Sequence, residues 1–226
     1  MLNLGKTLII AAHPDDEVLG CGGLIAKLVS QGEQVRVVFI AEGSSCRYNT
    51  LTDEAQEEIN FRNQCGIEAM KCLGVSDYIF YNLPCGRLDK EPLIKIAKII
   101  EKEILDYEPS TVLTHSRNDV HNDHKVIFRA TVQATRPVGK IVKNLLSFEV
   151  LSSSEWNYTQ SFKPNVFIDI TSTMDVKINA MHYYSTEQPK HPHPRSDEVI
   201  RSLATMRGSQ SGVKYAEAFE IIRSFL

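Results

Sequence analysis

Two short stretches of the chain concentrate side chains that bind cations or move protons. His13-Pro14-Asp15-Asp16-Glu17 sets an imidazole beside three carboxylates, and the run from His115 to His124 holds three His and two Asp: His115, Asp119, His121, Asp123 and His124. Imidazole nitrogens and carboxylate oxygens are the donors of a catalytic zinc site, in which three protein ligands leave one position open. A further carboxylate or imidazole alongside could take up or return a proton. Each residue also has a plainer reading. An Asp entering a helix caps it, and acidic residues in a first turn suit the helix dipole. On that basis Asp123 reads as the cap of its helix and His115 as structural. A lone His on an apolar helix face is usually a satisfied core residue. Two donor clusters at the same edge of a sheet are harder to explain that way.

The sheet follows from alternation along the chain. Short apolar runs at residues 7–12, 35–41, 77–81, 111–114, 145–151 and 166–170 read as strands. Helical spacing at 16–30, 52–73, 92–106 and 123–135 separates them, with Gly74 suited to ending the second helix. Strands alternating with helices define an α/β fold, a mostly parallel sheet covered by helices on both faces. In such sheets ligands bind beyond the carboxyl ends of the strands, where both clusters fall. On the helix from Asp123, His124 shares a face with Ile127, Phe128 and Thr131 and so points inward. Gly20, Gly22 and Gly23 lie a turn inside their helix. They are therefore too late to cradle a phosphate and are better suited to close approach between helix and sheet. Carboxylates in the turn itself would repel phosphate.

The chain has 226 residues, 42% hydrophobic and 23% charged, the composition of a soluble globular protein. Neither a repeat nor a long linker divides it, so residues 1–226 read as one domain. Twenty-five basic against 28 acidic residues give a net charge of -3, which offers nothing to a nucleic-acid backbone. Apolar runs are strand-length, far short of a membrane span, and the N-terminus lacks the pattern of a signal peptide. Five scattered cysteines without a Cys-x-x-Cys pair suggest reduced thiols and a cytoplasmic protein.

The run Ala12-His13-Pro14-Asp15-Asp16-Glu17, continued by Leu19-Gly20-Cys21-Gly22-Gly23 and joined downstream by Asp119-x-His121-x-Asp123-His124, resembles the PIG-L/LmbE-like family of metal-dependent deacetylases. The likeness extends over most of the chain, including Tyr215-Ala216-Glu217-Ala218-Phe219. It implies a Rossmann-like three-layer fold and hydrolysis of N-acetyl groups from amino sugars that are free or linked to nucleotide, thiol or lipid. It further implies His13, Asp16 and His124 as ligands of a metal, usually Zn2+, with Fe2+ an alternative. Asp15 matches the general base. His121 matches the histidine that assists, as imidazolium, at the carbonyl oxygen or leaving amine. Arg62 resembles a sugar-contacting arginine, and Asp119 is placed to orient a histidine.

Residues 187–196 alternate His and Pro, which holds the chain extended before a helix capped by Ser196. This segment reads as a surface loop or as a rim over the pocket, with His193 and Arg195 touching sugar hydroxyls, phosphate or a carboxylate. Trp156, beside Tyr158, either stacks on a sugar face or simply packs. The implied partner is a small-molecule amino sugar, and a homo-oligomer is left open. Alternatives are an amidase of the same family acting on another acyl group, or a Rossmann-like nucleotide-binding protein, against which the acidic turn argues.

Overall fold

Apolar side chains on both faces of the central strands require cover on both sides, and the chain supplies it. The structure, a computed structural model, describes residues 4–138 and 142–225. Its strands are β1 (Thr7–Ala11), β2 (Val35–Ala41), β3 (Asp77–Leu83), β4 (Thr111–His115), β5 (Asn144–Phe148), β6 (Val166–Asp169) and β7 (Ala216–Ser224). Its helices are α1 (Asp16–Ser30), α2 (Asp53–Leu73), α3 (Leu93–Tyr107), α4 (Asn122–Ala134), α5 (Met174–His182) and α6 (Asp197–Ser211). Ile9, Ala11, Val37 and Phe39 join one core with side chains of α1, α2, α5 and α6. Leu8, Ile10, Val38 and Ile40 join a second core with α3 and α4. Successive strand residues thus serve opposite layers, as the pleat dictates.

The strand order is β3-β2-β1-β4-β5-β7-β6. Strands β1 to β5 run parallel, and β7 is antiparallel to both of its neighbours. Strand order reverses between β1 and β4, the switch point at which the loops beyond the carboxyl ends part and leave a crevice. The two donor clusters follow these two strands. Strand β7 and helix α5 extend the architecture beyond the elements that periodicity predicts. Local signals hold elsewhere: Thr52 caps α2 by accepting the Ala55 N–H (3.2 Å), and Gly74 ends it in the left-handed conformation at φ 77°.

Helix α1 is bent in its second turn. Cys21 leaves helical geometry at φ −149°, ψ 21°, which frees backbone groups in a buried environment. The Leu19 carbonyl accepts from Lys177 Nζ (2.8 Å), while Glu217 accepts the Gly23 and Leu24 N–H groups (2.9 and 2.7 Å). Lys177 and Glu217 also pair at 2.6 Å, both nearly fully buried. The Tyr-Ala-Glu-Ala-Phe motif therefore stitches the broken helix and caps its second half. Gly20 and Gly23 allow the close packing: a Cβ would lie 2.3 Å from the Phe148 ring at Gly20 and 2.8 Å from Ile170 at Gly23.

Candidate active site

The loops after β1 and β4 are tied together before any functional side chain is placed. The Ala12 N–H donates to His115 Nε2 (2.8 Å), and the His115 ring stacks on His124 with 3.9 Å between centroids. Burial, followed by the charge of His124, pushes the His115 pKa well below its usual 6.5, so the ring is neutral. His115 thus ties the two loops together and seats His124.

Asp16 forms the hub. Its Oδ2 lies 3.3 Å from His13 Nδ1 and 3.3 Å from His124 Nε2, and it accepts the His13 N–H at 2.8 Å. Donor atoms bonded at 2.0–2.1 Å to a tetrahedral metal stand about 3.3 Å apart, so both edges have the length such a centre requires. His124 belongs to two compact groups whose donor atoms lie within 4.8 Å of one another, Asp16–His115–His124 and His13–His121–His124, whereas His13, Asp16 and His124 are joined through Asp16 Oδ2 and do not form such a group by themselves. His115 is the poorer ligand of the first, because its Nε2 already accepts the Ala12 N–H.

The second nitrogen of His13 and of His124 meets a carboxylate. His13 Nε2 lies 3.0 Å from Asp123 Oδ2, and His124 Nδ1 lies 3.1 Å from Asp119 Oδ2. Such partners fix the ring orientation and raise the basicity of histidine ligands. The carboxylates are themselves held. Asp119 accepts from Ser153 and Ser154 hydroxyls (2.8 Å each) and from the His121 N–H (2.8 Å). Asp123 accepts from the Gly86 and Leu88 N–H groups (2.6 and 3.1 Å). This corrects the reading of Asp123 as a cap. Helix α4 begins one residue earlier, His121 is the N-cap, and the Asp123 carboxylate turns toward His13. Burial lowers the histidine pKa values, but hydrogen bonds to Asp123 and Asp16 raise His13 to about 9. Burial likewise opposes the charge of Asp16 and the hydrogen bond to Asp119 at His124, which ends at about 10. Two buried imidazoliums beside an ionised Asp16 mark a place built for positive charge.

Asp15 adopts φ 119°, ψ −28°, a conformation that L residues rarely hold and that clusters at functional sites. Its N–H donates to Glu17 Oε2 (3.0 Å), and Glu17 Oε1 accepts from the Tyr184 hydroxyl (2.6 Å). Burial pushes Glu17 up to about 8. The Asp15 carboxylate accepts from Arg62 (2.9 Å) and Arg195 (2.6 Å). Burial raises the Asp15 pKa above the usual carboxylate value, opposed by these two arginines.

The remaining sequence candidates take up different positions. Arg62 is 3% exposed; it donates to the Pro14 carbonyl (2.8 Å) and pairs with Asp15 and Glu187. It holds the Asp15 carboxylate in place and is itself almost fully buried. Arg195 also reaches Ser152 Oγ (2.6 Å), which brings the His-Pro segment over Asp15. His193 is not brought to the cluster: its Nδ1 accepts the Arg195 N–H (3.2 Å). Trp156 is 44% exposed, close in sequence to the serines that hold Asp119. His121 packs beside both other rings, with centroids 4.9 Å from His13 and 4.6 Å from His124. Its Nδ1 accepts the Asp123 N–H (3.3 Å), while burial and the charges of His124 and His13 bring it to about 4. The ring is therefore neutral, with its proton on Nε2. Tyr184, Glu187, Ser153 and Ser154 have no part in the sequence reading. Glu17 stands there as one of the three carboxylates of the first cluster, without its part in holding the Asp15 N–H.

A mostly parallel sheet with His, Asp and carboxylate-backed His at its switch point makes an α/β domain with a candidate metal site. The chain belongs to the PIG-L family: the family model described as GlcNAc-PI de-N-acetylase matches residues 8–135. It is 26% identical over 231 residues to the diacetylchitobiose deacetylase of Thermococcus kodakarensis, covering 96% of this chain and 83% of that protein. It is 27% identical over 238 residues to the 4-oxalmesaconate hydratase of Pseudomonas putida, covering 96% and 89%. Among solved structures it is similar to the N,N'-diacetylchitobiose deacetylase from Pyrococcus horikoshii, with a TM-score of 0.78 at 23% identity, covering 96% and 83%. Among the described residues, no helix is long and apolar enough to cross a membrane.

Proposed function

We propose that this protein is a zinc-dependent deacetylase that removes the N-acetyl group of an amino sugar, with His13, Asp16 and His124 as ligands. The observation that carries this reading is Asp16 Oδ2 standing 3.3 Å from one nitrogen of each histidine, while a buried carboxylate holds the other nitrogen of both. The family and the deacetylase among its relatives supply the reaction class and the amino-sugar substrate. Zinc suits the donor set, and Fe2+ could take the same ligands. Five free thiols suit a reducing compartment, which we take to be the cytoplasm.

A divalent metal held there would polarise the amide carbonyl and bring the pKa of its water toward about 7. Asp15, with its raised pKa, takes the proton of the attacking water. Arg62 and the Glu17-bound backbone hold that carboxylate in position. His121 Nε2–H donates to the carbonyl oxygen as negative charge builds there. Asp15, having taken that proton, returns it to the departing amine. Arg195 lies on Asp15 in this state, so substrate must share or displace that contact.

The test is acetate release by zinc-loaded protein from N,N'-diacetylchitobiose and N-acetylglucosamine. Stoichiometric acetate and free amine, lost in Asp15→Asn with metal retained, supports the reading. Hydration of an unsaturated oxo-acid without acetate release from any N-acetyl sugar would refute it.

A further inference from the structure

Two neighbouring loops, one of which supports His13 through Asp123, carry cysteines facing each other. Cys46 follows β2 and is exposed, whereas Cys85 follows β3 and is buried. The Cys85 thiol donates to Cys46 Sγ at 3.2 Å, about 1 Å beyond the S–S bond length of about 2.05 Å. One carboxylate holds both loops: Glu42 accepts from the Ser44 and Ser45 N–H groups (2.6 and 2.9 Å) and from the Cys85 N–H (2.8 Å). Gly86 leaves room for the pair, since a Cβ there would lie 3.0 Å from Cys46 Cβ. The residues beside Cys85 reach the metal-facing histidine. Gly86 and Leu88 N–H groups hold Asp123, and Asp123 holds His13.

We propose that Cys46 and Cys85 are a peroxide-sensitive dithiol whose closure to a disulfide loosens the hold of His13 on its metal. The exposed Cys46 sulfur attacks one oxygen of hydrogen peroxide. The O–O bond breaks, one water leaves and Cys46 becomes a sulfenic acid. Cys85 sulfur then attacks Cys46 sulfur. The S–O bond breaks, and the hydroxyl leaves with the Cys85 proton as a second water. Two thiols lose two electrons and one peroxide gains them. Drawing Cys85 toward Cys46 displaces the adjoining Gly86 and Leu88 amides from Asp123. Loss of such outer support for a histidine ligand costs about 10-fold or more in metal affinity.

The experiment treats zinc-loaded full-length protein with one equivalent of hydrogen peroxide, alkylates remaining thiols, and maps peptides by mass. The expected product has lost two hydrogens, joins residues 46 and 85, and is reversed by a thiol reductant. Chelator competition should then show zinc bound about 10-fold more weakly in the bridged form. Cys85→Ser should trap the sulfenic acid on Cys46 as a dimedone adduct. Cys46→Ser should form no bridge and keep its zinc affinity after peroxide. Oxidation of Cys72, a partly exposed thiol near the end of α2, ahead of any 46–85 bridge overturns the proposal, as does a bridge with unchanged zinc affinity. Protection of both thiols by a second zinc equivalent also overturns it, in favour of a thiolate metal site with the neighbouring His13 and Asp123. The affinity result rests on the proposed metal site, whereas the cross-link does not, so failure of one reading is distinguishable from failure of the other.

Discussion

Asp123→Asn separates the two roles open to that residue. At a helix N-cap Asn and Asp are nearly equivalent, so as a cap the change would leave stability and metal affinity unaltered. In the structure, Asp123 Oδ2 faces His13 Nε2 (3.0 Å) and the Gly86 N–H (2.6 Å), and Oδ1 accepts the Leu88 N–H (3.1 Å). An Asn can keep its carbonyl oxygen toward the first two donors. Its amide NH2 then meets the Leu88 N–H, and one buried donor loses its acceptor, at about 1–3 kcal/mol. The negative charge beside His13 is lost as well. Outer-shell substitutions of this kind typically weaken metal binding about 10–100-fold, and the retained hydrogen bond places the expected loss near the lower limit. Zinc affinity by chelator competition and the thermal midpoint of the metal-free protein read the two effects separately. A variant with wild-type zinc affinity and wild-type stability would refute the role assigned to Asp123.

Three further outcomes follow from the same geometry. His13 and His124 sit at about 9 and 10 without metal, above the ordinary 6.5, yet both must be neutral to ligate. Metal uptake at pH 7 should therefore release about two protons, and apparent affinity should fall steeply as pH drops below 9; calorimetry in buffers of different ionisation enthalpy counts them, and zero release contradicts the assignment. Arg195→Ala removes a cation that holds the Asp15 pKa down, so the ascending limb of kcat/KM against pH should move to higher pH, and Arg195→Lys should largely restore it; an unmoved limb counts against Asp15 as the base. Glu217→Ala leaves Lys177 buried without its carboxylate and uncaps the second half of α1, for a loss of about 3–5 kcal/mol; denaturant unfolding would contradict the stitching role if the loss is under about 1 kcal/mol.

Much of this architecture was legible because its signals are local. β1 and β2 are runs of apolar side chains, α2 has Thr52 before it and Gly74 after it, and the alternation between them implies the parallel sheet. The site was legible for a related reason. Parallel strands deliver their carboxyl ends to one edge, so the residues after β1 and β4 had to meet. Elements defined by tertiary partners were not legible. Strand β7 alternates as Ala-Glu-Ala-Phe but breaks register at Ile221, where its pairing with β5 shifts. Its Glu217 points into the core because a bent α1 presents unpaired N–H groups there. Asp123 was misread because capping is decided locally, whereas its true donors come from Gly86, Leu88 and His13. Glu187 pairs with Arg47, Arg62 and Arg195, contacts that no spacing in the sequence records.

The most direct test of the central claim is metal content matched to turnover. Wild-type protein and the variants His13→Ala, Asp16→Ala and His124→Ala would be loaded with zinc, freed of excess and measured for bound metal and for acetate released from N,N'-diacetylchitobiose. About one zinc per chain with acetate release in the wild type, both lost together in all three variants, is the predicted result. Full zinc occupancy in any of the three, or acetate release by metal-free wild type, would contradict the site.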